Sequence, residues 1–221
     1  MTGPGDQRGL AARDEVLARV RAALDGAASP GEPTRTYRTS GEHAAGAPEL
    51  VELISDRLRD YKAQVHLTTH ELVAEVVAAI VRAEAGPDAR LVVDKDFPRL
   101  WRDGWHAVED DALSASALDE LDGAVTTCAV AVAETGTIVL DAGAGQGRRA
   151  ITLVPDLHIC LLHAEQVVQT VPEALALLDP SRPLTWISGP SATSDIELQR
   201  VEGVHGPRTL HVLLVEGADP S

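Results

Sequence analysis

Three stretches of this chain gather residue types that do chemistry. In Ala133-Glu134-Thr135-Gly136-Thr137 a carboxylate, two hydroxyls and a glycine stand directly ahead of the apolar run 138–140. A carboxylate at a strand end can act as base, nucleophile or acceptor for a ligand hydroxyl, which makes Glu134 the first catalytic candidate. The same acid could equally be solvated and accept from neighbouring backbone N–H groups. Next, residues 141–149 set Gly143, Gly145 and Gly147 ahead of Arg148 and Arg149. Glycine-exposed amides and two guanidinium forks suit an anion. The spacing matches neither the dinucleotide fingerprint nor a Walker loop, and an ordinary flexible hairpin would read the same.

The third stretch, Ser188-Gly189-Pro190-Ser191-Ala192-Thr193-Ser194-Asp195, is followed by Gly203-Val204-His205-Gly206-Pro207, between the apolar runs 184–187 and 210–215. Small residues let a backbone approach a ligand closely. Ser188, Ser191 and Thr193 offer hydrogen bonds, and Asp195 and His205 offer charge. Asp195 is also a favoured cap for a turn beginning at Ile196, which leaves Glu134 as first choice for chemistry. The candidate ligand-binding set is therefore Thr135, Gly136, Thr137, Arg148, Arg149, Ser188, Gly189, Pro190, Ser191, Thr193, Asp195 and His205. Ser191, His205 and Asp195 formally make a hydrolase triad, but no G-x-S-x-G elbow supports it. His158, His163, His205 and His211 lack the i, i+4 helical pair of a zincin and a completing acid, so no metal site is expected.

The elements that position these residues are legible in part. The stripe Val16, Leu17, Val20 and Leu24 predicts a helix over 11–24. Residues 25–47, rich in Gly, Pro, Ser and Thr, read as a linker, so the expected organisation is an N-terminal helix and linker over 1–47 and a compact domain over 48–221. Leu50, Val51, Ile54 and Leu58 predict a helix with Pro48 in its first turn. A strand over 64–67 follows. Thr68 and Glu71 have capping-box spacing for the helix carrying Val73, Val77, Ile80 and Val81. Strands are expected over 90–94, 105–108, 123–127 and 158–162, short helices over 98–101 and 116–121, and a helix over 172–178 capped by Thr170. Helix and strand alternate, which argues for parallel strands joined by crossovers. Trp101 and Trp105 are read as filling space rather than as a ligand platform.

Composition narrows the function classes. With 34 acidic against 19 basic residues the formal charge is -15, so a phosphate backbone is repelled and nucleic acid is a poor partner. Aromatic residues make up 3% of the chain, so the core must be Leu, Val, Ile and Ala, which suits helices on a parallel sheet. Cys128 and Cys160 are too few for a disulfide framework or a cysteine cluster, and both sit in apolar runs as small buried thiols would. No apolar run reaches membrane-spanning length and the first residues carry no signal-type core, so a cytoplasmic protein is expected.

Residues 133–137, 155–159, 188–197 and 203–207 together resemble the LUD domain family, with similarity over about 48–215. The resemblance implies a three-layer α/β/α fold with a mostly parallel sheet, related to the NagB/RpiA/CoA-transferase group. There, ligands bind at strand ends and an acidic residue often does the chemistry, a location that would fall to Glu134. It further implies a part in bacterial growth on L-lactate, oxidised to pyruvate by a three-protein system whose partner proteins carry the iron–sulfur clusters. This chain has no cysteine motif for a cluster, so no cofactor of its own is expected. The leading expectation is a component of that system, binding a small carboxylate or phosphate, or a partner, between the Glu134 and Ser188–Asp195 loops. A stand-alone CoA-transferase or sugar-phosphate isomerase using Glu134, and a non-catalytic assembly subunit, are the alternatives.

Overall fold

The computed structural model describes residues 4–26, 31–193, 201–202 and 206–217. The chain divides into two units, Met1–Tyr37 and Arg38–Ser221. The first holds one helix, α1 (Pro4–Leu24), on which Val16, Val20 and Leu24 are exposed. The second unit starts at Arg38, and segment 38–46 is fastened to it. The Gly41 N–H donates to Glu173 at 3.0 Å, those of Glu42 and His43 to Gln169 Oε1 at 2.7 and 3.1 Å, and that of Gly46 to the Val167 carbonyl at 2.9 Å.

Helix α2 (Pro48–Asp60) opens on a proline, whose fixed φ suits a first turn, and buries Leu50, Ile54 and Leu58 at four-residue spacing. Strand β1 (Gln64–Thr69) leads through a 3-10 turn, His70–Leu72, into α3 (Val73–Glu84), which buries Val73, Val77, Ile80 and Val81. The capping box expected from Thr68 does not form. The ladder with the last strand carries β1 on to Thr69, so Thr68 is a buried strand residue and no side chain caps α3. Strands β2 (Arg90–Val93) and β3 (His106–Glu109) follow, then α4 (Ala115–Asp119), capped by Ser114. Trp101 and Trp105 are buried, and the Trp105 indole donates to the Trp101 carbonyl at 2.9 Å.

The rest of the unit comprises β4 (Gly123–Thr126), β5 (Val130–Val132), β6 (Thr137–Leu140), β7 (Leu157–His163), β8 (Val167–Val168), α5 (Val171–Leu177), β9 (Thr185–Ile187), β10 (Ala192–Thr193), β11 (Val201–Glu202) and β12 (Thr209–Glu216). Thr170 caps α5 as expected, in a reciprocal box with Glu173. The main sheet is six-stranded and parallel, in the order β1-β12-β7-β4-β2-β3. Its last strand in sequence thus lies inside it, which explains why 210–215 is an unbroken buried run rather than an alternating one. One face packs Leu91, Val125, Ile159 and Leu213 under α3; the other packs Cys160, Leu162, Val212 and Leu214 under α2. This is an α/β fold with a mostly parallel sheet and flanking helices.

A second, four-stranded sheet in the order β8-β5-β6-β9 was not expected from the sequence. In it β5 and β6 form an antiparallel hairpin, with Val132 opposite Thr137. Glu134 therefore occupies a hairpin turn of the smaller sheet, not a strand end of the parallel one.

Candidate functional site

The hairpin turn engages its acid fully. The Arg38 guanidinium donates to both Glu134 oxygens at 2.6 Å, and Gln169 Nε2 donates to Oε1 at 3.1 Å. The hydrogen bonds from Arg38 hold the Glu134 carboxyl below its ordinary range, burial opposing them and Gln169 reinforcing them. A carboxylate so held is a weak base.

Strand register joins this turn to the third stretch. Ile187 of β9 lies opposite Ile138 of β6, so the next residue, Ser188, meets Thr137. The hydroxyls form a chain: Thr135 Oγ1 to Thr137 Oγ1 at 2.8 Å, and Thr137 Oγ1 to Ser188 Oγ at 2.9 Å. Gly136 (φ 59°) and Gly189 (φ 81°) both seat the end of α2. A Cβ at 136 would stand 2.6 Å from Arg57 Cβ, and one at 189 would stand 2.6 Å from Tyr61 Cβ. These glycines allow a helix, not a ligand, to come close.

Beyond Ser188 the chain borders a cavity of about 270 Å³, lined by Arg149, Thr152, His158, Thr185, Trp186, Ser188, Gly189, Pro190, Ser191, Gly206 and Pro207 with apolar neighbours including Ile187 and Leu210. Two of its wall residues are tied by the Ser191 N–H, which donates to the Pro207 carbonyl at 2.8 Å. Since His158 and Leu210 stand near the starts of β7 and β12, the cavity lies at the N-terminal ends of these strands. That is the reverse of the usual ligand position in open α/β sheets. Asp195 and His205 lie outside the described residues, as does the side chain of Thr193.

The sequence candidates thus separate into two groups. Arg149, Ser188, Gly189, Pro190 and Ser191 share the cavity; Glu134, Thr135, Gly136 and Thr137 do not line it, and only Thr135 and Thr137 are linked to Ser188 by the hydroxyl chain. Arg148 turns the other way, its Nε and Nη2 donating to Asp110 at 2.6 and 2.9 Å and Nη2 also to the Leu113 carbonyl at 2.6 Å. Arg149, by contrast, makes no ion pair among the described residues. Two of the glycine-loop amides are also engaged within the protein. The Gly143 N–H donates to Asp141 Oδ1 at 3.0 Å and the Gly145 N–H to Asp94 Oδ1 at 3.1 Å, so the anions this loop cradles are the protein's own.

Sequence reasoning missed three polar groups of the cavity: Thr152, Thr185 and His158. His158 is 1% exposed, its Nε2 is 2.9 Å from Thr126 Oγ1, and burial pushes its pKa down to about 4, so the ring is neutral near pH 7. A histidine ahead of the apolar run 159–162 was the available signal. Cys128 and Cys160 are free and buried, and the neighbouring Cys160 together with burial raises the Cys128 thiol, so Cys128 is not an activated nucleophile.

A second cavity, about 420 Å³, lies beside α2 and the far ends of β1 and β12, with Glu52, Arg59, Leu67 and Glu216 on its walls. Its two carboxylates make it the poorer anion site. No helix among the described residues is long and apolar enough to cross a membrane.

The LUD domain family model matches residues 36–215. A protein of Deinococcus radiodurans named Lactate utilization protein C is 48% identical over 173 residues, covering 76% of this chain and 80% of that one. The Halalkalibacterium halodurans protein of the same name is 26% identical over 201 residues, covering 81% and 84%. Among solved structures, a DUF162 family protein from Deinococcus radiodurans superimposes with a TM-score of 0.63 at 37% identity, covering 76% of this chain and 96% of that one. By this match, which takes in every residue lining the cavity, the chain belongs to the LUD domain family.

Proposed function

We propose that this chain acts in a bacterial L-lactate utilization system and that its 270 Å³ cavity binds a short carboxylate there. The relatives' shared name supports the first part. Arg149 carries the second: a guanidinium without an ion pair among the described residues borders a small cavity in a chain of formal charge -15. A bidentate pair with a carboxylate would hold one end of the ligand, and the hydroxyls of Thr185 and Ser188 would complete its hydrogen bonds. The iron–sulfur centres of such a system would belong to partner proteins, because two buried cysteines cannot supply the four thiolates of a cluster.

The CoA-transferase or isomerase reading has weaker support. It needs Glu134 free in a cleft, whereas the carboxylate is bonded by Arg38 and Gln169 outside the cavity. Growth on L-lactate tests the proposal. In a strain deleted for this chain, the parent and Glu134→Gln should restore growth and Arg149→Met should not. Restoration by Arg149→Met at parental level, with failure of Glu134→Gln, would return the chemistry to Glu134. Affinity purification of the parent should bring down iron–sulfur proteins; their absence would remove the partner part of the proposal.

A further inference from the structure

His158 is a buried polar group of the cavity to which the carboxylate reading gives no task. Its Nε2 is occupied by Thr126 Oγ1, itself fully buried on the neighbouring strand β4. The other ring nitrogen, Nδ1, makes no hydrogen bond among the described residues. His158 is 1% exposed and lines the cavity, so a partner for Nδ1 would have to come from there. A ligand atom that bonds Nδ1 would replace water there with a directional hydrogen bond. The Thr126 hydroxyl can donate to or accept from Nε2, so Nδ1 can present either a proton or a lone pair. A hydroxyl and a keto oxygen can both be read.

We propose that His158 is a specificity-determining residue of this cavity, whose Nδ1 bonds the oxygen on the carbon next to the ligand carboxylate, so that 2-hydroxy and 2-oxo acids are selected over plain fatty acids. The inference rests on the reading of the cavity as a carboxylate site, in which Arg149 holds the carboxylate. Because the ring is neutral near pH 7, the choice is made by a directional hydrogen bond and not by charge. A site built to bond such an oxygen rejects an analogue lacking it more strongly than an apolar pocket rejects a methylene.

The test is calorimetric titration of L-lactate, pyruvate and propionate into the full chain, its His158→Gln and Thr126→Val variants, and Arg149→Met. The parent should prefer L-lactate and pyruvate over propionate by about tenfold or more, the scale of one buried hydrogen bond. His158→Gln should bring that ratio to within about threefold while leaving propionate affinity unchanged. Thr126→Val keeps the ring but frees it, and should lower the ratio in part. If His158→Gln fails to fold, the Thr126→Val ratio decides. Propionate binding that depends on Arg149, with no preference for the 2-oxygen in the parent or with the preference intact in the variants, overturns the role of His158 and leaves the carboxylate site standing. If none of the three acids binds the parent, the carboxylate reading fails and His158 falls with it.

Discussion

The Glu134 turn and the Ser188–Ser191 loop carry similar residues, a glycine flanked by hydroxyls, yet the fold uses them differently. At the turn every strong polar group is engaged: Glu134 by Arg38 and Gln169, Thr135 and Thr137 by each other and by Ser188. Past Ser188 the chain borders a cavity that also holds an arginine without an ion pair and a histidine with an unbonded nitrogen among the described residues. The adjacent arginines repeat the contrast, Arg148 locked on Asp110 and Arg149 open. A residue type that does chemistry in one protein holds a loop in another, and what separates the two uses is whether its bonds are already made.

The largest effect should come from the glycines. Gly189→Ala places a Cβ at positive φ against Tyr61 and should destabilise by about 3 kcal/mol in chemical denaturation, overpacking adding to backbone strain. A stable Gly189→Ala that loses only ligand binding would show the glycine to serve the cavity instead.

Acid should separate the two regions next. Burial lowers the pKa of His158 from about 6.5 in an unfolded chain to about 4. The unfolded state therefore binds more protons in this window, and the stability present above pH 6.5 is lost as pH falls toward 4. Between pH 7.5 and 4.5 His158 should cost about 2–3 kcal/mol, measured as the difference in that loss between the parent and His158→Gln. His66 and His211, also lowered by burial, contribute with the same sign in both proteins. An equal loss in the two would mean His158 is not enclosed as described.

Smaller effects sharpen the arginine pair. Arg148→Met strips a nearly enclosed Asp110 of its partner and should cost about 1–2 kcal/mol without changing carboxylate affinity. Glu134→Gln should cost less than about 1 kcal/mol, since its pair with Arg38 is exposed. It should instead release segment 38–46 to limited proteolysis. Unchanged cleavage would show that the other bonds to Gln169 and Glu173 suffice.

The helices were legible because a buried stripe at three- and four-residue spacing leaves few alternatives, as in α2 and α3. Thr170 was legible because a capping box is a local device. Strand order was not, since the buried runs of β7 and β12 alternate on neither face and carry no mark of their neighbours. The second sheet was hidden for a related reason: Glu134-Thr135-Gly136 is no standard hairpin signal, and reading Glu134 as the end of a parallel strand followed from missing the hairpin. The Ser188–Ser191 loop and Arg149, singled out by residue type, line the cavity, while His158 was weighed only as a metal ligand. Arg148 and Arg149 could not be told apart by sequence, because Asp110 meets Arg148 only in the folded chain.

In the proposed function the cavity bordered by Arg149, and not the Glu134 turn, receives a small carboxylate. Calorimetric titration of L-lactate into the parent, Arg149→Met and Glu134→Gln tests it directly. Binding should fall by more than about tenfold in Arg149→Met, the scale of a lost charge-assisted pair, and stay within about twofold of the parent in Glu134→Gln. Parental affinity in Arg149→Met together with loss in Glu134→Gln would contradict it.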